Sequence, residues 1–235
     1  MHHQRQRAEP RTKIFPHGEL HRVSNNTWQV EGSQGMPLKR NMTVHRLADG
    51  RLVLYSVVAL DEPGMRALEA LGTPWLMIVP GSHTLDAPFY KQRYPQLKVA
   101  GDGPLATLPV DGTPEQLLAG SAIEVVRAPG MKHGEACLLL SHDQGKTLVA
   151  CDILGRNFPR SPGLGGHIMA LLSPPGSHFG VARIVKFRQV KDKRALRSWI
   201  ETLAARSDLV SVLGSHGPAL TSEVSAALRD AAARV

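Results

Sequence analysis

Cysteine is nearly absent from this chain, with two residues in 235. That excludes a disulfide framework, and a chain of this length can bury a core without one. No apolar run approaches the roughly 18 residues that a membrane span requires, so no membrane partner is expected. Phe, Trp and Tyr together make only 5%. Few of them fall among the basic runs, which leaves little for the base stacking that serves single-stranded nucleic acid. The N-terminal MHHQRQRAEPRTKIF is positively charged but has no apolar segment, so no secretory leader is expected and a cytoplasmic, reduced protein is. No internal repeat of about 20–50 residues is visible.

What is there is ordinary for a globular protein, 42% hydrophobic and 20% charged, which excludes a mostly disordered chain. The net charge of +8 raises the question of an anionic partner, but the charge is local. Residues 183–206 hold eight basic side chains against two acidic ones, and residues 1–22 hold five against two. The rest of the chain is nearly neutral. The first block reads as the solvent face of an amphipathic helix with a lead-in strand, and the second as a loose arm. Nucleic acid is therefore the least favoured partner, and a small, anionic substrate is the partner these charges suit.

Residues 1–25 are polar and show no sustained period, so they are expected to form an arm before a single domain over 26–235. TWQVEG (27–32) fits a strand. NMTVHRL (41–47) and RLVLYSV (51–57), joined by Ala-Asp-Gly, read as a hairpin. MRALEALG (65–72) reads as a helix, WLMIVP (75–80) as a strand buried on both faces, APFYKQRYP (87–95) as a helical turn and LKVAGD (97–102) as a strand. AIEVVRAP (122–129) is a further strand. EACLLLS (135–141) and KTLVACDIL (146–154) make a second hairpin, and residues 155–180 form an irregular Gly- and Pro-rich insertion around a short apolar helix. KDKRALRSWIETLAAR (191–206) is an amphipathic helix, LVSVLG (209–214) a strand, and SEVSAALRDAAARV (222–235) a closing helix capped by Thr221 or Ser222. If Ser141 faces Lys146 in the second hairpin, then Cys137 faces Ala150. Cys151 falls on the opposite face, and no disulfide is expected.

Four polar residues flank the apolar runs: His83 after WLMIVPGS, His133 before EACLLL, Asp152 at the end of KTLVAC and His216 after LVSVLGS. Groups at strand ends converge on one rim of a sheet, where ligand sites form. Three His and one Asp suit zinc or another divalent transition metal. Taken singly, each reads as a hydrogen-bonded edge residue. His167 reads as an exposed or capping residue, His142 and His178 as loop residues, and His2 and His3 have no assigned role. GLGG lacks the preceding strand of a phosphate loop.

In this order the segments resemble the metallo-β-lactamase fold over roughly residues 25–225. VPGSHTLDAPFYKQRYPQLKVAGD is similar to the family's strand, metal-binding loop, helix and next strand. APGMKHGEACLLL resembles the segment whose Gly-His-Thr-type turn supplies the second ligand. GKTLVACDIL resembles the strand ending in Gly-Asp, and VLGSHGPAL the late strand followed by Ser-His-Gly. The chain departs from the family signature His-x-His-x-Asp-His, for which it has SHTLDA. Aligned on His83, Leu85 stands at the second His and Ala87 at the Asp; aligned on Asp86, every His is lost. NMTVHRLADGRL, the Val-Ala-Leu after it and RYP resemble a divergent branch with such a shortened motif.

The resemblance implies an α/β (α+β) four-layer αββα sandwich. It implies one metal per chain, zinc or another divalent transition metal, on His83, His133, Asp152 and His216. It also implies hydrolysis of an ester, amide, thioester or phosphoester, with Asp86 the nearest general base. Asp86 reads equally as the N-cap of APFYKQRY. Four protein ligands would close a tetrahedral zinc site, so catalysis needs one of them to leave or a higher coordination number. The alternative is a binding protein that keeps the fold and has lost the metal site.

Overall fold

The computed structural model describes residues 13–235 apart from 34, 36–37, 82, 102–104, 106–107, 157–162 and 173–178. The chain begins with β1 (His21–Ser24), β2 (Thr27–Gly32), β3 (Arg40–Arg46) and β4 (Arg51–Tyr55). Helix α1 (Glu62–Leu71), strand β5 (Thr73–Ile78), helix α2 (Ala87–Arg93) and strand β6 (Lys98–Ala100) follow. After α3 (Pro114–Leu117) come β7 (Ile123–Arg127), β8 (Ala136–His142) and β9 (Gly145–Ala150). Helices α4 (Leu164–Leu172), α5 (Arg183–Arg188) and α6 (Lys193–Ala204) lead to β10 (Leu209–Gly214) and α7 (Val224–Ala233).

The strands form two sheets, β1-β2-β3-β4-β5-β6 and β10-β9-β8-β7. Among the described residues, three hydrophobic clusters separate by the two-residue period of the strands. Val53, Tyr55, Leu76 and Ile78 of the first sheet meet Leu138, Leu140, Val149, Cys151 and Leu213 of the second. The alternate residues Leu52, Leu54 and Met77 pack outward against Met65 and Leu68 of α1 and Tyr90 of α2. Cys137, Leu139, Leu148 and Val212 pack outward against Leu196, Ile200 and Leu228 of α6 and α7. Helices thus cover both outer faces, giving the expected αββα sandwich. Each fully buried Leu or Ile contributes roughly 1.5–3 kcal/mol over leaving it in water.

Local chemistry explains the ends. Asp61 accepts from the Gly64 amide to start α1. The helix stops at Gly72, where a Cβ would lie 2.1 Å from the Gly50 carbonyl, so only glycine allows the strand-turn contact made there. Asp192 caps α6 through the Ala195 amide. Both expected hairpins form, with Ser141 opposite Lys146 and Val149 opposite Leu138. Cys137 and Cys151 are not joined by a disulfide and lie on opposite faces of the second sheet.

Four local readings change. Residues 21–24 of the expected arm are β1, paired with β2. The lead-in stretch before α6 is the helix α5, not a strand; its six-residue mixture of basic and apolar side chains fits either period, and Val185 anchors it to the outer core. The last helix starts after Glu223, which is left-handed at φ 50° and makes no side-chain cap. A short helix not expected from the sequence, α3, starts at a capping box of Thr113 and Gln116. Residues 1–12 of the arm, with His2 and His3, and the flanks of α4, with His178, lie outside the described residues.

Candidate metal centre

Parallel pairing runs between β4 and β5 and between β9 and β10. The chain leaves each of these strands toward the same rim: Ser56 follows β4, His83 follows β5, Asp152 follows β9 and His216 follows β10. One oxygen or nitrogen from each of His83, Asp152 and His216 lies within 4.8 Å of the other two. His216 Nε2 is 3.2 Å and His83 Nε2 3.4 Å from the same oxygen, Asp152 Oδ1. The two imidazoles meet edge-on at 87° with centroids 5.1 Å apart.

The opposite ring nitrogens are held separately. The Lys39 carbonyl accepts from His216 Nδ1 at 2.8 Å. A carbonyl can only accept, so Nδ1 carries the proton. With the proton on Nδ1, a neutral His216 ring would present only the Nε2 lone pair to the Asp152 carboxylate, and the two would repel. That gap calls for a cation, either a proton or a metal ion. His83 Nδ1 lies 2.7 Å from Ser56 Oγ and 3.2 Å from Cys151 Sγ. Ser56 is fully buried and is held at φ 59°, a conformation that costs a non-glycine residue about 1–2 kcal/mol.

Electrostatics separate the groups. Burial holds the His83 imidazole below its ordinary value, although Asp152 works against that. Burial would raise the Asp152 carboxyl, but hydrogen bonds from His216 and then His83 outweigh it and keep the group well below the usual carboxylate range. Burial drives the Cys151 thiol well up, with Asp152 and Glu135 adding to it.

Two supports were not visible in the sequence. Glu135, buried just before β8, accepts from the backbone amides of Cys151 at 2.6 Å, Asp152 at 2.9 Å and Ile153 at 3.1 Å. It thereby fixes the bend that turns Asp152 inward. Its carboxyl is pushed up to about 8 by burial and then by the Asp152 charge, against those three donors. The second support is residues 39–41. Asn41 Nδ2 donates to the carbonyls of Gly214 at 3.1 Å and Gly217 at 2.7 Å, and the Asn41 amide donates to the Ser215 carbonyl at 2.8 Å. With the Lys39 carbonyl, this strand end seats the whole loop that carries His216. The only hint in the sequence is that polar residues sit at the two strand starts.

The four residues expected at the metal do not all converge. His133 lies exposed in the β7–β8 loop and is not in the group. Asp86 is also outside it. Asp86 stands at the N-cap position of α2 but makes no capping bond; its Oδ2 is instead 3.1 Å from Arg40 Nη2, with both side chains 2% exposed. Arg40 also donates to the Val57 carbonyl. His167 is exposed and bonds the Gly163 carbonyl from the first turn of α4.

The donor set tests well against a divalent transition metal. Two imidazole nitrogens and one carboxylate oxygen are the borderline ligands such ions favour. The far nitrogens already have partners, which fixes ring orientation.

No family model matches the chain, and no curated relative matches it by sequence. Solved structures do match. A metallo-β-lactamase from Pontibacter korlensis is 12% identical with a TM-score of 0.59, over 92% of this chain and 99% of that one. The metallo-β-lactamase FIM-1 from Pseudomonas aeruginosa in its mono-zinc form is 12% identical with a TM-score of 0.62, over 94% and 97%. A metallo-β-lactamase from Erythrobacter litoralis, with β-mercaptoethanol in its active site, is 12% identical with a TM-score of 0.60, over 92% and 96%. The chain therefore has the metallo-β-lactamase fold over nearly its whole length.

Proposed function

We propose that this chain is a metal-dependent hydrolase with a single-ion centre held by His83 Nε2, Asp152 Oδ1 and His216 Nε2. The observation that carries the reading is the His216 ring, whose two nitrogens both face acceptors. With His133 outside the group, three protein ligands remain, the number typical of catalytic rather than structural zinc. When bound, such an ion supplies Lewis acidity and lowers the pKa of coordinated water to about 7. That suits hydrolysis of an ester, amide, thioester or phosphoester. Zinc is the ion we expect, one per chain, as in the mono-zinc form of FIM-1.

The chain's own residues do the positioning. Lys39 and Ser56 orient the two imidazoles, and Glu135 fixes the bend under Asp152. Arg40 and Asp86 form a buried ion pair whose Arg40 charge reaches His83. We assign Asp86 to holding Arg40 rather than to activating water, because it is almost fully buried. A small, anionic substrate in the cytoplasm remains the partner we favour.

Tag-free protein, with His2 and His3 replaced by Ala, is the material for the test. Elemental analysis should find one divalent transition ion per chain. Asp152→Ala and His216→Ala should lose it, and His133→Ala should keep it. A wild-type chain without stoichiometric metal, whose thermal stability a chelator leaves unchanged, overturns the proposal. One observation favours the second reading, a binding protein without metal: Asp152 lies within 3.4 Å of both imidazoles and can satisfy protons on them by itself. That reading predicts the metal-free result.

A further inference from the structure

Helix α4 carries an apolar face that is left in solvent. Leu164, Ile168 and Leu171 recur at helical spacing on one side and are 78%, 49% and 65% exposed, and Phe187 of α5 is 91% exposed. Solvated aliphatic side chains gathered this densely usually mark an interaction surface. The Arg183 guanidinium donates to the Leu171 carbonyl at 3.1 Å, tying α5 to the end of α4. Between the helices lies an open cleft of about 600 Å³, lined by Leu171, Leu172, Arg183, Ile184, Phe187 and Arg188.

The surroundings are cationic. Arg183, Arg188 and Lys193 are exposed. The Lys186 ammonium is held below its ordinary value by burial and then by the nearby charges of Lys193, Arg183 and Arg234. Lys186 also donates to the Arg234 carbonyl at 2.8 Å. Of these cations, Arg234 is ion-paired with Asp230 at 2.9 Å.

We propose that α4 and α5 form a docking surface for an anionic phospholipid bilayer. The Leu164–Ile168–Leu171 face and Phe187 enter the boundary between headgroups and acyl chains, and Arg183, Arg188 and Lys193 meet lipid phosphates. Charge complementarity selects this occupant. A second copy of the chain would set these cations against the same cations. Nucleic acid would engage the cations but has no use for an aliphatic helix face. An apolar helix face beside basic residues is the composition of an interfacial binder. Attachment is peripheral: α4 has nine residues, a length of about 14 Å, and no described helix is long and apolar enough to cross a membrane. The expectation of no membrane partner rested on the missing span, which an interfacial helix does not need. The excursion that carries α4 leaves at Gly155 and returns at Gly180, whose backbones exchange hydrogen bonds at 3.2 and 2.9 Å. Its base thus lies three residues beyond Asp152.

Co-sedimentation of the full chain with vesicles tests this. The chain should bind equimolar phosphatidylcholine–phosphatidylglycerol vesicles at least about tenfold more tightly than pure phosphatidylcholine, and less so at high salt. Arg188→Ala and Lys193→Ala should each weaken binding about fivefold. Leu164→Ser/Ile168→Ser/Leu171→Ser should reduce it to the level of neutral vesicles with an unchanged melting temperature, and Phe187→Ala alone should weaken it in the same direction. Failure to bind anionic vesicles overturns the proposal. So does a chain that binds duplex DNA with an affinity the triple variant retains, or one that self-associates through this face while ignoring vesicles.

Discussion

Ser56 shows how much of this site rests on single side chains outside the expected set. It is buried, left-handed, and 2.7 Å from His83 Nδ1. A backbone held in that conformation by a residue other than glycine needs a compensating contact, and the hydroxyl–imidazole contact is one. Under the proposed function, Ser56→Gly and Ser56→Ala should both weaken zinc binding about 10–100-fold, the usual loss when a ligand's supporting contact is removed. The glycine variant should be the more stable of the pair by about 1 kcal/mol, because it accepts the left-handed backbone freely. Calorimetric zinc titration with thermal unfolding measures both. Wild-type zinc affinity in both variants would mean the hydroxyl does not hold His83.

At the scale of elements, the strands and hairpins follow from patterning, and the bends that carry chemistry do not. TWQVEG becomes β2 with the expected bounds and is buried along almost its whole length, because its β-branched and aromatic residues Thr27, Trp28 and Val30 suit a pleated strand. The stretch KTLVACDIL reads as one strand, yet pairing ends at Ala150. The next three amides leave the ladder for the Glu135 carboxylate, which the sequence separates from them by sixteen or more positions. No local pattern announces that exchange. Glu135→Ala should leave three buried amides without their acceptor and cost roughly 3 kcal/mol or more, with Glu135→Gln intermediate because its amide oxygen still accepts. Denaturant unfolding reads this out. An Ala variant with the wild-type midpoint would show that the bend is held by something else.

At the scale of the molecule, the two sheets are joined at the site. Asn41, in the first sheet, donates to carbonyls on either side of His216, in the loop that leaves the second sheet. Tyr55 crosses the interior to donate to the Ala136 carbonyl at 2.9 Å. Asn41→Ala should speed hydrogen exchange at residues 214–217 and cost about 1–2 kcal/mol. Asn41→Asp, which cannot donate to those carbonyls, should cost more. Unchanged exchange in that loop would locate the tether elsewhere.

Periodicity, turn chemistry and strand ends, all properties of neighbouring residues, set the two hairpins, the face each cysteine occupies and three of the residues that gather at the rim, while the αββα layering was implied by the resemblance to the metallo-β-lactamase fold. Long-range packing settled that His133 stays in solvent, that Asp86 is taken up by Arg40, and that Ser56, Glu135 and residues 39–41 support the cluster of His83, Asp152 and His216. Those outcomes depend on which groups from distant segments reach hydrogen-bonding distance once water is excluded. That is a matter of packing two sheets face to face, and it leaves no period in the chain.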